Sequence, residues 1–472
     1  VVWLRVSINW KNKSLLSRLL SSVMQEPSMK RQRCSVDNDA AEDASERAVF
    51  VCPNGCAKGK CRVQKWLEVP RLQVSELTRS RFLAHAIRGV PFVLSTGNGD
   101  VQEEQVMPPP GKKSDSMCVG GCAAAWGWPV ADGRWSSIDY IRDLADSCHG
   151  AVDEDAVLAT YRKWRRCSLS VASVQQSLDL LSHRQAARSR REKHTADSSI
   201  SDIADSPHIC SELSEQLYLT GWKYDPPCAD EPMHSHSRLS DDVCSGRIPV
   251  MPCLLASADH PLAQAASKGL RYQFIGEQGT SCAAHSDPHS SHAWMWLASG
   301  AKQWRMVEAL SAHPSATEAA ISDFADTGRE GSLDLFNCVT TAVAVGQRRL
   351  WHTLLCRDEL LFIPSRCVHA VRNVANLTIA VSHNFVDVSC LPAVLHALQG
   401  AMMLLASAEA KGATREEAQA TMHEHLSGPM FALLSVAMST PQTLEQMVTA
   451  ALAELKFLMA GALEKSKRKS MN

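Results

Sequence analysis

Short apolar runs separated by turn residues fill the middle of this chain, and longer helical spacings lie on either side of them. Tyr272-Gln273-Phe274-Ile275-Gly276 reads as a strand, as does Ala293-Trp294-Met295-Trp296-Leu297, which closes on a Ser299-Gly300 turn. Leu360 to Ile363 and Val368 to Asn373 read as two strands joined at Pro364, with a further strand from Thr378 to Phe385. In that last strand Thr378, Ala380, Ser382 and Asn384 share one face, and Ile379, Val381, His383 and Phe385 share the other. A small, polar face opposite an apolar one suits a barrel wall around a hydrated ligand pocket.

Helical patterns precede the strands at Ser75 to Arg88, Ser136 to Asp146, Glu154 to Arg166 and Ala172 to Leu181. Gly97 to Ser116, with three prolines at Pro108 to Pro110, and Gln185 to Pro207 read as mobile insertions. Beyond the last strand the composition shifts to Ala, Leu and Met. Helices are expected from about Leu391 to Lys411, from a capping box at Thr414 and Glu417 to Leu426, from Pro429 to Met438, and from Pro441 to about Leu463. The run from Leu391 to Ala408 approaches membrane-spanning length, but His396, Gln399 and Ser407 interrupt it, so a buried helix in a bundle is the economical reading. The expected organisation is a leader at 1–67, a flanking α/β region at 68–250, a β core at 251–390, and a C-terminal helical region with a basic tail at 391–472.

With 472 residues, 45% hydrophobic and formal net charge -1, the chain can bury a sizeable core and has no global basic bias toward nucleic acid. Its 17 Cys are scattered and odd in number, which makes reduced thiols the default. Cys52, Cys56 and Cys61 form the densest group, at spacings that do not match the usual zinc-finger pairs. Residues Val1 to Met24 are basic, Ser- and Leu-rich and free of acids, like a transit peptide; translated upstream sequence ahead of a start at Met24 or Met29 is the favoured alternative. Basic runs at Lys30-Arg33, Arg188-Lys193 and Lys465-Lys469 lean the localisation toward the nucleus, with the cytoplasm as the alternative.

The candidate chemistry sits in Ala284-His285-Ser286-Asp287-Pro288 and, far downstream, in Pro364-Ser365-Arg366-Cys367-Val368-His369. On a strand, residues two apart project from one face, so His285 and Asp287 can grip one metal while His369 arrives from a distant strand. Two imidazoles and a carboxylate on one side of an ion leave the other side open, as non-haem Fe(II) oxygenases require. An H-x-D triplet alone is weak, since 18 His should produce roughly one by chance. His289 and His292 read as loop residues, solvated or hydrogen-bonded, because extra ligands would close the site.

With these motifs in place, the sequence resembles the JmjC-domain oxygenases, the cupin-fold branch of Fe(II)/2-oxoglutarate enzymes. It looks closest to the phosphatidylserine-receptor-like lysyl-hydroxylase branch, through His285-Ser286-Asp287-Pro288, Ala293-Trp294, Gly300-Ala301-Lys302-Gln303-Trp304 and Ser382-His383-Asn384-Phe385. Weaker likeness extends upstream into Val69-Pro70-Arg71-Leu72 and Gly89 to Leu94, so that about Glu68 to Leu391 is covered. The resemblance implies a mainly β fold, a double-stranded β-helix with flanking N-terminal helices and a C-terminal helical bundle.

It further implies that His285, Asp287 and His369 ligate Fe(II), that Lys302 pairs with the distal carboxylate of the cosubstrate 2-oxoglutarate, and that Ser382 and Asn384 lie near it. Two positions depart from the pattern. Cys282 stands where relatives carry a Thr that bonds 2-oxoglutarate, with Thr280 and Ser281 just upstream to take its place, and Met295 replaces an Asn. The activity implied is hydroxylation of a protein side chain with O2, lysyl side chains first. N-methyl-lysine or arginine demethylation and a cupin-fold binding module without turnover are the alternatives. The partners expected are a protein substrate, with chromatin- or RNA-associated proteins in view, no membrane, and a second copy of the chain joined through the C-terminal helices.

Overall fold

The computed structural model describes residues 66–95, 133–146, 157–162, 164–171, 173–197, 215–222, 251, 270–287, 290–308, 334–336, 348–391, 393–394, 397 and 412. The leader with Cys52, Cys56 and Cys61, the insertion at 97–116 and nearly all of the C-terminal helical region lie outside these residues. No helix among the described residues is long and apolar enough to cross a membrane.

Eight strands form the centre: β7 (Arg271–Glu277), β8 (Ser281–His285), β9 (His292–Ser299), β10 (Ala301–Val307), β11 (Leu350–Cys356), β12 (Leu360–Ile363), β13 (His369–Asn373) and β14 (Leu377–Phe385). Before them come β1 (Trp66–Glu68), β2 (Arg71–Gln73), β3 (Phe92–Ser95), β4 (Val157–Arg162), β5 (Arg165–Val171) and β6 (Gln216–Trp222). One sheet has the order β1-β11-β10-β13-β8, and the larger runs β2-β3-β12-β9-β14-β7-β6-β4-β5. Within the central eight, the chain crosses back and forth between the two sheets, the winding of a double-stranded β-helix, and this predominantly β architecture fits a cupin sandwich. Six strands that precede residue 251 belong to the same two sheets, so the boundary expected there falls inside a continuous structure.

The core between the sheets follows from alternation. Met295 and Leu297 of β9, Trp304 and Met306 of β10, Leu361 of β12 and Ala380 of β14 pack into one buried cluster. Each of these Met and Leu side chains contributes about 1.5–3 kcal/mol when fully buried. β9 is buried on both faces, because Trp294 and Trp296 are covered on the far side as completely as Met295 and Leu297 are inside. β14 is likewise buried on both faces, which corrects the expectation of a hydrated polar wall. Its polar side chains satisfy the protein itself: Thr378 Oγ1 donates to Gly276 O at 2.9 Å, and Ser382 Oγ donates to Trp294 O at 3.0 Å.

Three helices are described: α1 (Arg79–Arg88), α2 (Ile138–Asp146) and α3 (Val174–Asp197). α1 begins after Thr78, whose hydroxyl accepts from Arg81 N at 3.2 Å, and ends at Gly89, whose φ of 64° suits a residue without Cβ. Phe82 from its buried face packs on Phe362 with ring centroids 5.2 Å apart. The helix expected from Glu154 to Arg166 is instead the hairpin β4-β5: Ala159 and Tyr161 are buried and Leu158 and Thr160 are not, a period of two. The helix expected to stop at Leu181 runs on to Asp197, into the stretch read as a mobile insertion. Its register explains why. Arg184 Nε donates to Glu277 Oε1 at 3.0 Å and Arg188 reaches the same oxygen at 3.1 Å, while Leu217 N donates to Glu277 Oε2 at 2.8 Å. Arg188, read as part of a localisation signal, is thereby committed to a buried carboxylate.

Candidate active site

β8 ends at His285, and Asp287 stands two residues on in irregular backbone rather than on the strand, which corrects the simple strand argument. His369 opens β13 and pairs directly with His285 across the two strands. The ligand atoms of His285, Asp287 and His369 all lie within 4.8 Å of one another, and theirs is the one group of three or more such side chains among the described residues. The histidine rings are 4.3 Å apart between centroids.

The donor chemistry fits a divalent metal. His285 Nδ1 lies 2.8 Å from Ala283 O and His369 Nδ1 2.9 Å from Cys367 O, so each ring donates from Nδ1 and keeps Nε2 as a lone-pair ligand. Asp287 Oδ2 is buried and has no hydrogen-bond partner, an arrangement that is costly for a carboxylate unless a cation answers it. Burial works against charge on His285, yet neighbouring Cys282 and Asp287 lift its pKa to about 10. Burial and the charge on His285 push His369 down to about 4. In the metal-free pair these neighbours favour the charged form of His285 and the neutral form of His369, and an ion that takes both Nε2 lone pairs displaces the extra proton.

Lys302, on β10, is fully buried. Its Nζ donates to Tyr218 Oη at 3.2 Å and lies over the rings of Tyr218 and Phe274, 5.3 and 5.7 Å from their centroids. No carboxylate among the described residues pairs with it. Burial pulls its pKa down to about 7, with Cys282 opposing. A buried ammonium whose partners among the described residues are a phenol and two ring faces is a site prepared for an anion. Lys302 pairs with Asn373 and Met306 with His369, so the lysine and the triad are four residues apart along β10, about 13 Å. Trp304 lies between them, its ring centroid 5.6 Å from that of His369.

The remaining expected residues are accounted for individually. Thr280 is buried, donates to Glu277 O at 2.7 Å and accepts from Asn373 Nδ2 at 2.7 Å. Asn384 Nδ2 donates to Ser291 Oγ at 3.2 Å, and Ser382 bonds the β9 backbone as described. Cys282, not Thr280, touches the triad, with Sγ 3.6 Å from His285 Nδ1. Burial opposes ionisation of that thiol, but the adjacent His285 lowers its pKa below the usual value. His289 lies outside the described residues, whereas His292 is buried and doubly hydrogen-bonded rather than solvated.

Tyr218 was not visible from the sequence as a site residue. The strand that carries it, β6, sits 84 residues from Lys302, and only the β6-β7 pairing brings the hydroxyl there. Its neighbour Gly276 makes room. A Cβ at 276 would collide with Asn373 Nδ2 and approach Tyr218 Cδ2 to 2.6 Å and Thr280 Oγ1 to 2.9 Å. Gly276→Ala is therefore expected to cost about 1–3 kcal/mol of stability, read as a lowered denaturant midpoint with unchanged slope. A neutral result would mean that Asn373 and Tyr218 have slack.

No curated protein matches the chain. Residues 272–385, the stretch from β7 to β14 that holds His285, Asp287, Lys302 and His369, match the model of the family described as JmjC domain, hydroxylase, which supports a likeness to that family over this stretch.

Proposed function

We propose that the protein is an Fe(II)- and 2-oxoglutarate-dependent dioxygenase that hydroxylates a protein side chain, with lysyl side chains as the first substrate class. The observation that carries the reading is the pairing, inside one barrel, of a His/Asp/His group with a buried lysine that has no carboxylate partner among the described residues. JmjC domains are usually oxygenases of this kind. Bound Fe(II), with 2-oxoglutarate as the electron source, supplies activation of O2 and conversion of a C–H bond to C–OH, releasing succinate and CO2.

The chain's own residues bind, orient and shield. His285 Nε2, His369 Nε2 and the Asp287 carboxylate would hold the ion, with the open side left for cosubstrate and O2. Lys302 would neutralise the far carboxylate of 2-oxoglutarate while the Tyr218 hydroxyl fixes the ammonium from behind. Trp304 and Met295 exclude water along the wall between these two ends, where an aqueous pocket would admit side reactions.

The test is mass spectrometry of histone-derived and other lysine- and arginine-rich peptides after incubation with the iron-loaded protein, O2 and 2-oxoglutarate. Gain of one oxygen on an unmethylated lysine is the expected product. Loss of a methyl group would make the protein a demethylase. Absence of succinate with every peptide, from protein that folds and binds metal, would leave a binding module.

A further inference from the structure

The two segments that carry the metal ligands are tied together by a residue outside the triad. His292, at the start of β9, is buried and accepts at Nδ1 from Ser365 N–H at 2.8 Å. Its Nε2–H therefore points at Ser389 Oγ, 2.9 Å away. Ser389 donates in turn, from both Oγ and N at 3.0 Å, to Asp387 Oδ1, and Asp387 Oδ2 pairs with Arg79 of α1 at 2.7 Å. Phe362 and Phe385 hold the ring of His292 at 5.2 and 5.5 Å between centroids.

Ser365 opens the turn that delivers His369. In that turn Cys367 N donates to Pro364 O at 3.1 Å and Arg366 takes a φ of 60°, so the backbone is closely constrained and a shift at Ser365 is passed on to His369. Ser365 Oγ also donates to Ser290 O at 2.5 Å, which ties the same turn to the loop that follows Asp287. Among the described residues these bonds join Ser290 and His292 to the His369 turn, beside the direct pairing of His285 with His369.

We infer that His292 is a positioning residue for the metal centre: through Ser365 it fixes the His369 turn relative to the Asp287 loop, with the Ser389–Asp387–Arg79 relay holding its tautomer. The inference rests on the reading of His285, Asp287 and His369 as a metal site. A phenylalanine at 292 would keep the aromatic packing and lose both hydrogen bonds. An asparagine would place an acceptor near the position of Nδ1 and recover the bond to Ser365.

The experiment titrates Co(II), as a spectroscopic substitute for Fe(II), into full-length wild type, His292→Phe and His292→Asn under anaerobic conditions, with thermal unfolding of the metal-free proteins in parallel. Outer-shell losses of this type weaken metal binding by about 10–100-fold. A drop of about tenfold in His292→Phe with shifted Co(II) visible bands, and recovery of most of it in His292→Asn, is the expected result. Equal affinity and identical bands in all three proteins would overturn the inference. Should His292→Phe fail to fold, Ser389→Ala takes its place: it keeps the ring and removes the bond that sets the tautomer. Unaltered affinity and bands in Ser389→Ala would then overturn it. Wild type that binds no Co(II) would instead sink the metal site itself.

Discussion

Asp287→Ala should abolish 2-oxoglutarate turnover while leaving the fold intact. The carboxylate has one oxygen buried without a hydrogen-bond partner while its charge attracts His285, so its removal from the metal-free protein takes away a cost and an attraction together. Metal-free Asp287→Ala should unfold close to the wild-type temperature. With metal the two separate, because a ligand that binds only the native state stabilises it by mass action and the variant forfeits that gain. Purified anaerobically, wild type should take up one equivalent of Fe(II) and form succinate, and the variant should form none above background. Undiminished succinate formation by Asp287→Ala would end the metal assignment.

Lys302→Met separates cosubstrate binding from metal binding. Losing the buried partner of a bound carboxylate costs roughly 3–5 kcal/mol, or about two to four powers of ten in apparent KM for 2-oxoglutarate. Co(II) affinity should barely move. The metal-free variant should gain thermal stability, since methionine fills a similar volume without the penalty of a buried amine. A pH profile gives a second readout. With the lysine near pKa 7 before the anion arrives, binding must take up a proton above that pH, so the wild-type KM should climb as pH rises beyond about 7. Equal KM values in variant and wild type would mean that another cation holds the carboxylate.

How much of this was legible depended on how local each signal was. The triad could be read because H-x-D compresses two ligands into three residues and His369 follows a Pro-containing turn. Strands β7, β9, β12, β13 and β14 announced themselves by apolar runs and by the turn residues that bound them, whereas β10 and β11 were not singled out. Tyr218 and the partners of Glu277 could not be read, since pairing across 84 and 93 residues depends on sheet register. The β4-β5 hairpin was misread as helix because the span from Glu154 to Arg166 stops just inside β5, short of the alternation Cys167-Ser168-Leu169-Ser170-Val171 that marks it as a strand. Asp287 lies within reach of both histidines despite leaving the strand, because the triplet matters through reach rather than ideal pleat geometry.

Tyr218 also changes what counts as the catalytic unit. The JmjC match spans 272–385, but the hydroxyl on Lys302 comes from β6, and β7 would be an open edge without that strand. A recombinant fragment begun near residue 251 would expose a row of unpaired backbone groups and strip the lysine of its phenol, so it should aggregate on expression. The motif-bearing segment is in this sense not portable. Its transfer to another scaffold, or its excision for crystallisation, has to bring β6 and the α3 arginines with it.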